Sequence, residues 1–387
     1  MSEDTARQGR IAALSLAHMF NDWYSNFIQT LLPFFVAAGM GVGKGAFLIS
    51  AFTTTSSLLQ PVFGYLADRR GQRWMVYVGT LWMAVMLGFL GTTGSYPLLM
   101  GLALLSGLGT AAFHPQAAAM VGALSGRSKG WHLSLFSAAG NIGWALTPLI
   151  MVPVVKSQGL EITPVFILPG IVVALLLWLV APSVRKTEAK AREPLLPALR
   201  AAWAELTKVV LIVSLRSLAY FGLITFLPLY LQTKDISLTQ SSRLLFLMLF
   251  SGAMGGMLGG RLSDRFGRKA VIVGSLATST PLFLLFQHAQ GPVAIVLLCC
   301  AGAALLASFS VTVALAQELI SRNAAMASGL TLGFGIGVGG LGVGAVGVLI
   351  ERAGVDSAIT LLALCPLAAG LLALLLKPKA AVAAAAR

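Results

Sequence analysis

Apolar runs of about 20 residues or more recur along the whole chain, at 11–38, 46–67, 74–93, 96–122, 130–155, 163–181, 207–233, 240–262, 270–288, 292–317, 325–350 and 356–376. At a rise of about 1.5 Å per residue each is long enough to cross a hydrocarbon layer about 30 Å thick as an α-helix. The weaker alternating pattern of a membrane barrel is absent from them. In such a layer every backbone hydrogen bond has to close within its own helix, so the runs predict twelve transmembrane helices. Composition agrees: of 387 residues, 57% are hydrophobic and 10% charged, more apolar surface than one soluble core can hide.

The formal charge of +14 would fit a nucleic-acid partner only if the basic residues shared one solvent face. They sit instead in the loops, and no nucleic-acid partner is expected. With both termini cytoplasmic, 21 of the 27 Lys and Arg fall on the inner side, five on the outer side and one, Arg216, within a span. That asymmetry orients a multi-pass protein of the cell (inner or plasma) membrane. The polar start, Met1 to Arg10, runs directly into the first span with no cleavable signal before it. Cys299, Cys300 and Cys365 lie in apolar segments without metal-ligand spacing and read as small core residues.

The chain is also duplicated. Gly64-Tyr-Leu-Ala-Asp68-Arg69-Arg-Gly71-Gln-Arg73 returns as Gly260-Arg-Leu-Ser-Asp264-Arg265-Phe-Gly267-Arg268-Lys269, and the aspartates are 264 − 68 = 196 positions apart. Thr30-Leu-Leu-Pro33 and Thr225-Phe-Leu-Pro228 repeat at an offset of 195, as do Arg127 and Arg322. Three matches in nearly one register predict two pseudo-symmetric six-helix bundles, 1–181 and 207–387, joined by a basic cytoplasmic linker at 182–206.

Span 1 carries the densest chemistry. His18, Asn21, Asp22, Ser25, Asn26 and Gln29 share one helix face, and the opposite face is apolar. Such a stripe is costly against lipid and is expected to face a cavity between the halves, with Asp22 about 18 Å beyond Arg10. Asp22 reads either as a structural carboxylate or as a proton-coupling group, because a half-buried carboxylate can exchange protons near neutral pH. His18, one turn away, either relays that proton, binds substrate or is a satisfied core histidine. His114 precedes Pro115, where a hinge and a polar lining residue are both open readings. Arg216 maps onto Asn21 at the repeat offset, 216 − 195 = 21. Either its side chain snorkels to the cytoplasmic surface or, as the repeat position suggests, it looks across at span 1, where its planar fork suits carboxylate, phosphate or phosphonate oxygens. Glu318 lies four residues before Arg322 and is expected to pair with it or with the second loop motif, as part of a gate. Gly335-x-Gly337-x-x-Gly340 copies a dinucleotide fingerprint by letter but lies within a span, after no strand.

The twofold Gly-x-Leu-x-Asp-Arg-x-Gly-x-Arg pattern after spans 2 and 8, with twelve spans and a basic central loop, resembles the major facilitator superfamily across the whole chain. Within it, Ala17-His-Met-Phe-Asn-Asp22, Phe113-His-Pro115, and Arg216-Ser-Leu-Ala-Tyr220-Phe-Gly-Leu223 with Phe226-Leu-Pro-Leu-Tyr230 are similar to the fosmidomycin-resistance group of exporters. Gly140-Asn141-Ile-Gly143-Trp144-Ala-Leu-Thr-Pro148 resembles the span 5 motif of drug/proton antiporters, without its usual glycine directly before the proline.

The resemblance and the residues together imply a proton-coupled secondary transporter, an antiporter exporting small anionic or amphiphilic drugs such as fosmidomycin by alternating access. Asp22, His18 and His114 are the candidate proton-coupling residues. Arg216, Asn21, Ser25, Asn26, Gln29, Trp23, Tyr220, Asn141 and Trp144 are the candidate substrate-binding residues. Gly64, Asp68, Arg69, Gly71, Arg73, Gly260, Asp264, Arg265, Gly267, Arg268, Glu318 and Arg322 form the expected cytoplasmic gate. The expected partners are a small-molecule substrate, protons and the lipid bilayer, with the chain a monomer. No metal and no cofactor beyond the proton gradient is expected, and no enzymatic activity. The alternative is a proton symporter importing an organic acid or sugar-like metabolite. More remote is an intramembrane metal enzyme built on His18, Asp22, His114 and Glu318, disfavoured because no HExxH or comparable paired-ligand motif is present.

Overall fold

The structure, a computed structural model, describes residues 3–70, 72–125, 129–182, 195–320, 326–327 and 329–377. Among them there is no strand. The helices are α1 (Glu3–Ser25), α2 (Phe27–Ala37), α3 (Val42–Leu58), α4 (Gln60–Arg70), α5 (Trp74–Gly88), α6 (Tyr96–Leu124), α7 (Lys129–Gln158) and α8 (Ile167–Val180). They continue with α9 (Leu195–Gln232), α10 (Leu238–Phe266), α11 (Arg268–His288), α12 (Gly291–Ala307), α13 (Phe309–Leu319) and α14 (Ile336–Ala373). A π-helical turn, Gly329–Gly335, leads into α14.

Ten stretches among the described residues are long and apolar enough to cross a membrane. One, Gly329–Ala373, is 45 residues, or roughly 68 Å of helix, which exceeds a single crossing twice over. Gly354 divides it with φ 81° and ψ 163°, a left-handed conformation open to glycine, so it makes two crossings. The first span, α1 with α2, is not among the ten because its polar stripe lowers its hydropathy. Ten plus these two gives the twelve expected. Span 1 also breaks at Asn26, whose φ −97° and ψ 7° interrupt the helix. The segment 182–206, expected as a polar linker, is helical from Leu195 onward. Its run Ala-Leu-Arg-Ala-Ala-Trp-Ala-Glu-Leu is made of strong helix formers, and Pro197 falls in the first turn, where the missing N–H costs nothing.

The chain divides into two compact units, 1–187 with 236–246, and 188–235 with 247–387. In the first, α1 lies along α7, and α5 packs on α6 and α8. In the second, α9 lies along α14, and α11 packs on α12 and α14. These are the same neighbours at the repeat offset. Small residues allow the closest approaches: on α10, Gly255 and Gly259 lie against the backbone of Ala303 and Ala307 on α12.

The loop motif performs the same task in each unit. Arg73 donates to the carbonyl of Trp178 at the end of α8. Lys269, 196 positions on, donates to Leu374 O at 2.7 Å and Leu376 O at 2.9 Å just beyond α14. The acceptors Trp178 and Leu374 are also 196 apart. A cation on the unpaired carbonyls of a helix C-terminus satisfies them and complements the helix dipole. Lys208 adds a bond to Leu375 O at 3.0 Å and pairs at 2.6 Å with Glu205, which is buried and accepts from the Lys377 N–H. Lys269→Met should therefore lower the melting temperature of the purified protein, by about 0.5–1 kcal/mol of stability. Lys234→Met, which removes an exposed pair with Asp356 and an exposed contact over the Tyr230 ring, should change it far less; differential scanning fluorimetry reads both.

Candidate functional site

Three helices of the first unit meet at Asp22. From α1, Asp22 offers Oδ1 to His114 Nε2 of α6 at 2.9 Å and Oδ2 to His18 Nε2 at 3.4 Å, one turn back on its own helix. The second ring nitrogen of each histidine is committed to backbone: His18 Nδ1 lies 2.7 Å from Phe136 O of α7, and His114 Nδ1 lies 2.9 Å from Thr110 O. A carbonyl oxygen only accepts, so both Nδ1 atoms carry hydrogen. In a neutral imidazole the Nε2 that faces Asp22 is then a bare lone pair. A lone pair and an ionised carboxylate cannot bond at 2.9 Å, so the His114–Asp22 contact contains one proton, on the ring or on the carboxyl.

The surroundings hold this arrangement rigidly. The His18 ring stacks on Phe136 with centroids 3.9 Å apart and planes at 9°. Its other neighbours are Phe113, stacked, and His114, edge-on. Gly140 of α7 closes the site: a Cβ there would overlap Asp22 Oδ2 and the His18 ring. Gly143, one turn on, lies against the Met19 carbonyl and lets α7 approach α1 along its length.

The rest of the polar stripe divides between two neighbours. Asn21 Nδ2 reaches Thr80 of α5 at 3.4 Å, Asn26 Nδ2 donates to Trp144 O of α7 at 3.0 Å, and Ser25 turns back to Asn21 O. The partners of Asp22, His18, Asn21 and Asn26 thus belong to the stripe's own unit. Yet Asn21 Oδ1, Asn26 Oδ1 and both amide atoms of Gln29 are buried without a hydrogen-bond partner among the described residues. Trp23 is buried in an aromatic cluster with Phe20, Tyr24, Phe27 and Phe166, its Nε1 also unpartnered. Asn141 is exposed and Trp144 half-buried.

In the second unit the same scaffold carries different chemistry. At the offset of 195, His18, Asp22, His114 and Gly140 become Val213, Ser217, Phe309 and Gly335. A Cβ on Gly335 would meet Val213 Cγ1 at 2.9 Å, the contact Gly140 makes with His18. Arg216, only 2% exposed, stacks its guanidinium over Phe309 with 4.8 Å to the ring centroid. Its Nη1 has no hydrogen-bond partner, and no ion pair among the described residues includes it. Tyr220, one turn on, is half-buried. Sequence reasoning missed Gly140, Gly335 and Phe309 as parts of these sites, though the repeat offset points to each of them.

The expected gate is partly described. Arg268 Nη1 lies 2.7 Å from Asp264 and its Nε 3.2 Å from Glu318, so one guanidinium at the start of α11 ties the end of α10 to the end of α13. Glu318 thus pairs with the loop motif. Arg265 lies over the Phe266 ring. Gly267 takes φ 88°, the left-handed turn between α10 and α11. Gly64 and Gly260 lie within α4 and α10, facing Pro115 and Ser310. The side chains of Asp68 and Arg69, with Gly71 and Arg322, lie outside the described residues.

Gly140→Ala forces a methyl group against a carboxylate and a pinned ring, and should cost about 1–3 kcal/mol of stability. Gly335→Ala meets the Val213 side chain at 2.9 and 3.1 Å and the Leu330 carbonyl at 3.4 Å, with no charged group among them, and should be milder; thermal melts of the two variants make the comparison.

The sequence profile of the Major Facilitator Superfamily matches residues 14–331 and 235–386. The chain is 30% identical over 376 residues to the fosmidomycin resistance protein of Escherichia coli (strain K12), covering 93% of this chain and 90% of that protein. It is 31% identical over 380 residues to the uncharacterized MFS-type transporter YfnC of Bacillus subtilis (strain 168), covering 94% and 91%. In fold it is similar to a bacterial homolog of the human lysosomal transporter Spinster, with a TM-score of 0.76 at 18% identity over 100% of this chain and 98% of that one. The twelve-helix duplicated fold, the repeated loop motif and these relatives place the chain in the major facilitator superfamily, as a multi-pass membrane transporter and not an enzyme.

Proposed function

We propose that this transporter is a proton-coupled antiporter that exports small anionic or amphiphilic compounds, of which fosmidomycin is the first to test. The observation that carries the reading is the His114–Asp22 contact, which exists only while it holds one proton. Losing that proton sets a lone pair against a carboxylate in a buried site. The bond between α1 and α6 then breaks, giving proton transfer a direct means of biasing one arrangement of the helices over another. The energy comes from the proton gradient, with no cofactor.

Substrate is assigned to Arg216 in the second unit and, in the first, to the polar groups of Asn21, Ser25, Asn26 and Gln29. A buried guanidinium with no counter-ion among the described residues is costly, by several kcal/mol or more, and an anionic ligand relieves that cost. A phosphonate or carboxylate offers two oxygens to the planar fork, with Phe309 as the apolar floor. Tyr220 adds a polar edge. Trp23, Asn141 and Trp144 belong to this reading more weakly, as a buried, an exposed and a half-buried side chain. The relative named for fosmidomycin resistance supports the substrate class. The protein works by alternating access as a lipid-embedded monomer in the inner or plasma membrane, both termini cytoplasmic, with the Arg268–Asp264–Glu318 link breaking when the inner side opens.

Cells carrying the gene should accumulate less fosmidomycin than cells without it. Inside-out vesicles should take the drug up only with an imposed inward-acid gradient. Asp22→Asn should remove that gradient dependence, and Arg216→Ala should abolish transport of anionic compounds while sparing a neutral one. Uptake into intact cells driven by external acid would instead make the protein a symporter. Gradient-independent transport unchanged by Asp22→Asn would overturn the coupling role.

A further inference from the structure

The donor set at Asp22 has a second chemical meaning, independent of whether the protein couples protons. Two imidazole Nε2 atoms and a carboxylate oxygen lie within 4.8 Å of one another in a half-buried to buried setting. In a tetrahedral site with metal–nitrogen and metal–oxygen bonds of about 2.0–2.2 Å, donor atoms stand about 3.3 Å apart. His18 Nε2 lies 3.4 Å from Asp22 Oδ2 and His114 Nε2 lies 2.9 Å from Oδ1, so each ring faces one oxygen of the same carboxylate near that spacing. The widest separation, 4.8 Å at most, has to close by up to roughly 1.5 Å on that geometry.

Orientation adds an independent argument. Metal-ligating histidines almost always donate their other ring N–H to a carbonyl or carboxylate, which fixes the tautomer and aims the lone pair at the metal. Both histidines do so here, to Phe136 O and Thr110 O. The ring of His18 is further pinned against Phe136. Two helices, α1 and α6, therefore present three donors with their lone pairs converging, and the supporting bonds, one of them to α7, are already formed. The ligands are 92 positions apart in sequence or a turn apart on one helix, so no spacing motif announces them.

From this geometry we propose that His18, Asp22 and His114 form a three-ligand site for a divalent transition-metal ion, with Zn²⁺ as the reference ion. Two nitrogens and one oxygen suit Zn²⁺ and Co²⁺ and discriminate against the oxygen-seeking Mg²⁺ and Ca²⁺. The remaining position is left to water. A bound ion takes the place of the proton between Asp22 and His114 and joins α1 to α6 through metal bonds. Micromolar Zn²⁺ should for that reason stabilise the protein and hold it in one state.

The test uses the purified full chain, free of drug and chelator, so it is read separately from transport. Titrated with Co²⁺, the wild-type protein should develop the visible absorption bands of a tetrahedral ion at one equivalent, and Zn²⁺ should bleach them. X-ray absorption of the Zn²⁺ form should show two imidazole ligands. His114→Ala and Asp22→Asn should weaken binding by roughly 10- to 100-fold or more, while His288→Ala, at an exposed histidine, should leave it unchanged. The wild-type spectra decide the matter even where a variant fails to fold. No saturable Co²⁺ spectrum, an all-oxygen or single-imidazole shell, or binding unaltered in folded His114→Ala protein would overturn the proposal.

Discussion

The contact between Asp22 and His114 is the interaction on which the first unit depends. It spans α1 and α6, and through His18 and Phe136 it also involves α7, the helix packed along α1. Each participant is held from behind. The histidines are anchored by their Nδ1–H groups to main-chain carbonyls, and Asp22 is confined by the backbone at Gly140. Such a cluster has few ways to relax when its proton count changes. Interiors are close-packed, so the response is a change of arrangement and not a gradual drift.

Duplication supplies the second half of the design. Both units keep the glycine that admits the first helix of the bundle to the fifth, and both cap their last helix with the basic residue closing the loop motif. On this shared frame the first unit holds a carboxylate and two imidazoles, and the second an arginine over a phenylalanine. The chemistry is thus asymmetric where the scaffold is symmetric. Under the proposed function, proton and anion occupy different units, and whatever each contributes to the other's affinity is reciprocal by linkage.

Much of this was legible in the sequence. The lengths of the apolar runs and the 195–196 repeat anticipate twelve helices in two related halves, because hydrocarbon thickness and backbone hydrogen bonding leave few other solutions. Asp22, His18, His114 and Arg216 stand out for the same reason: ionisable groups within spans are expensive. Their partnerships were not legible. Whether His114 was a hinge or a lining residue depends on helix rotation, which a run of apolar residues does not fix. A carbonyl such as Phe136 O leaves no mark in the side-chain sequence at all. The stripe on span 1 was read as one cavity face, whereas Asn21 and Asn26 lie at its two edges and turn to α5 and α7. Residues 195–206 read as linker because polarity was weighed above helix propensity.

The central claim is that substrate and proton are linked through Asp22. Its most direct test is proton release from the purified protein in weakly buffered solution near neutral pH, followed with a pH-indicator dye as fosmidomycin is added. The account predicts release that saturates with drug binding in the wild type and is absent from Asp22→Asn protein that still binds the drug. Binding without release in the wild type, or equal release from the variant, would contradict it.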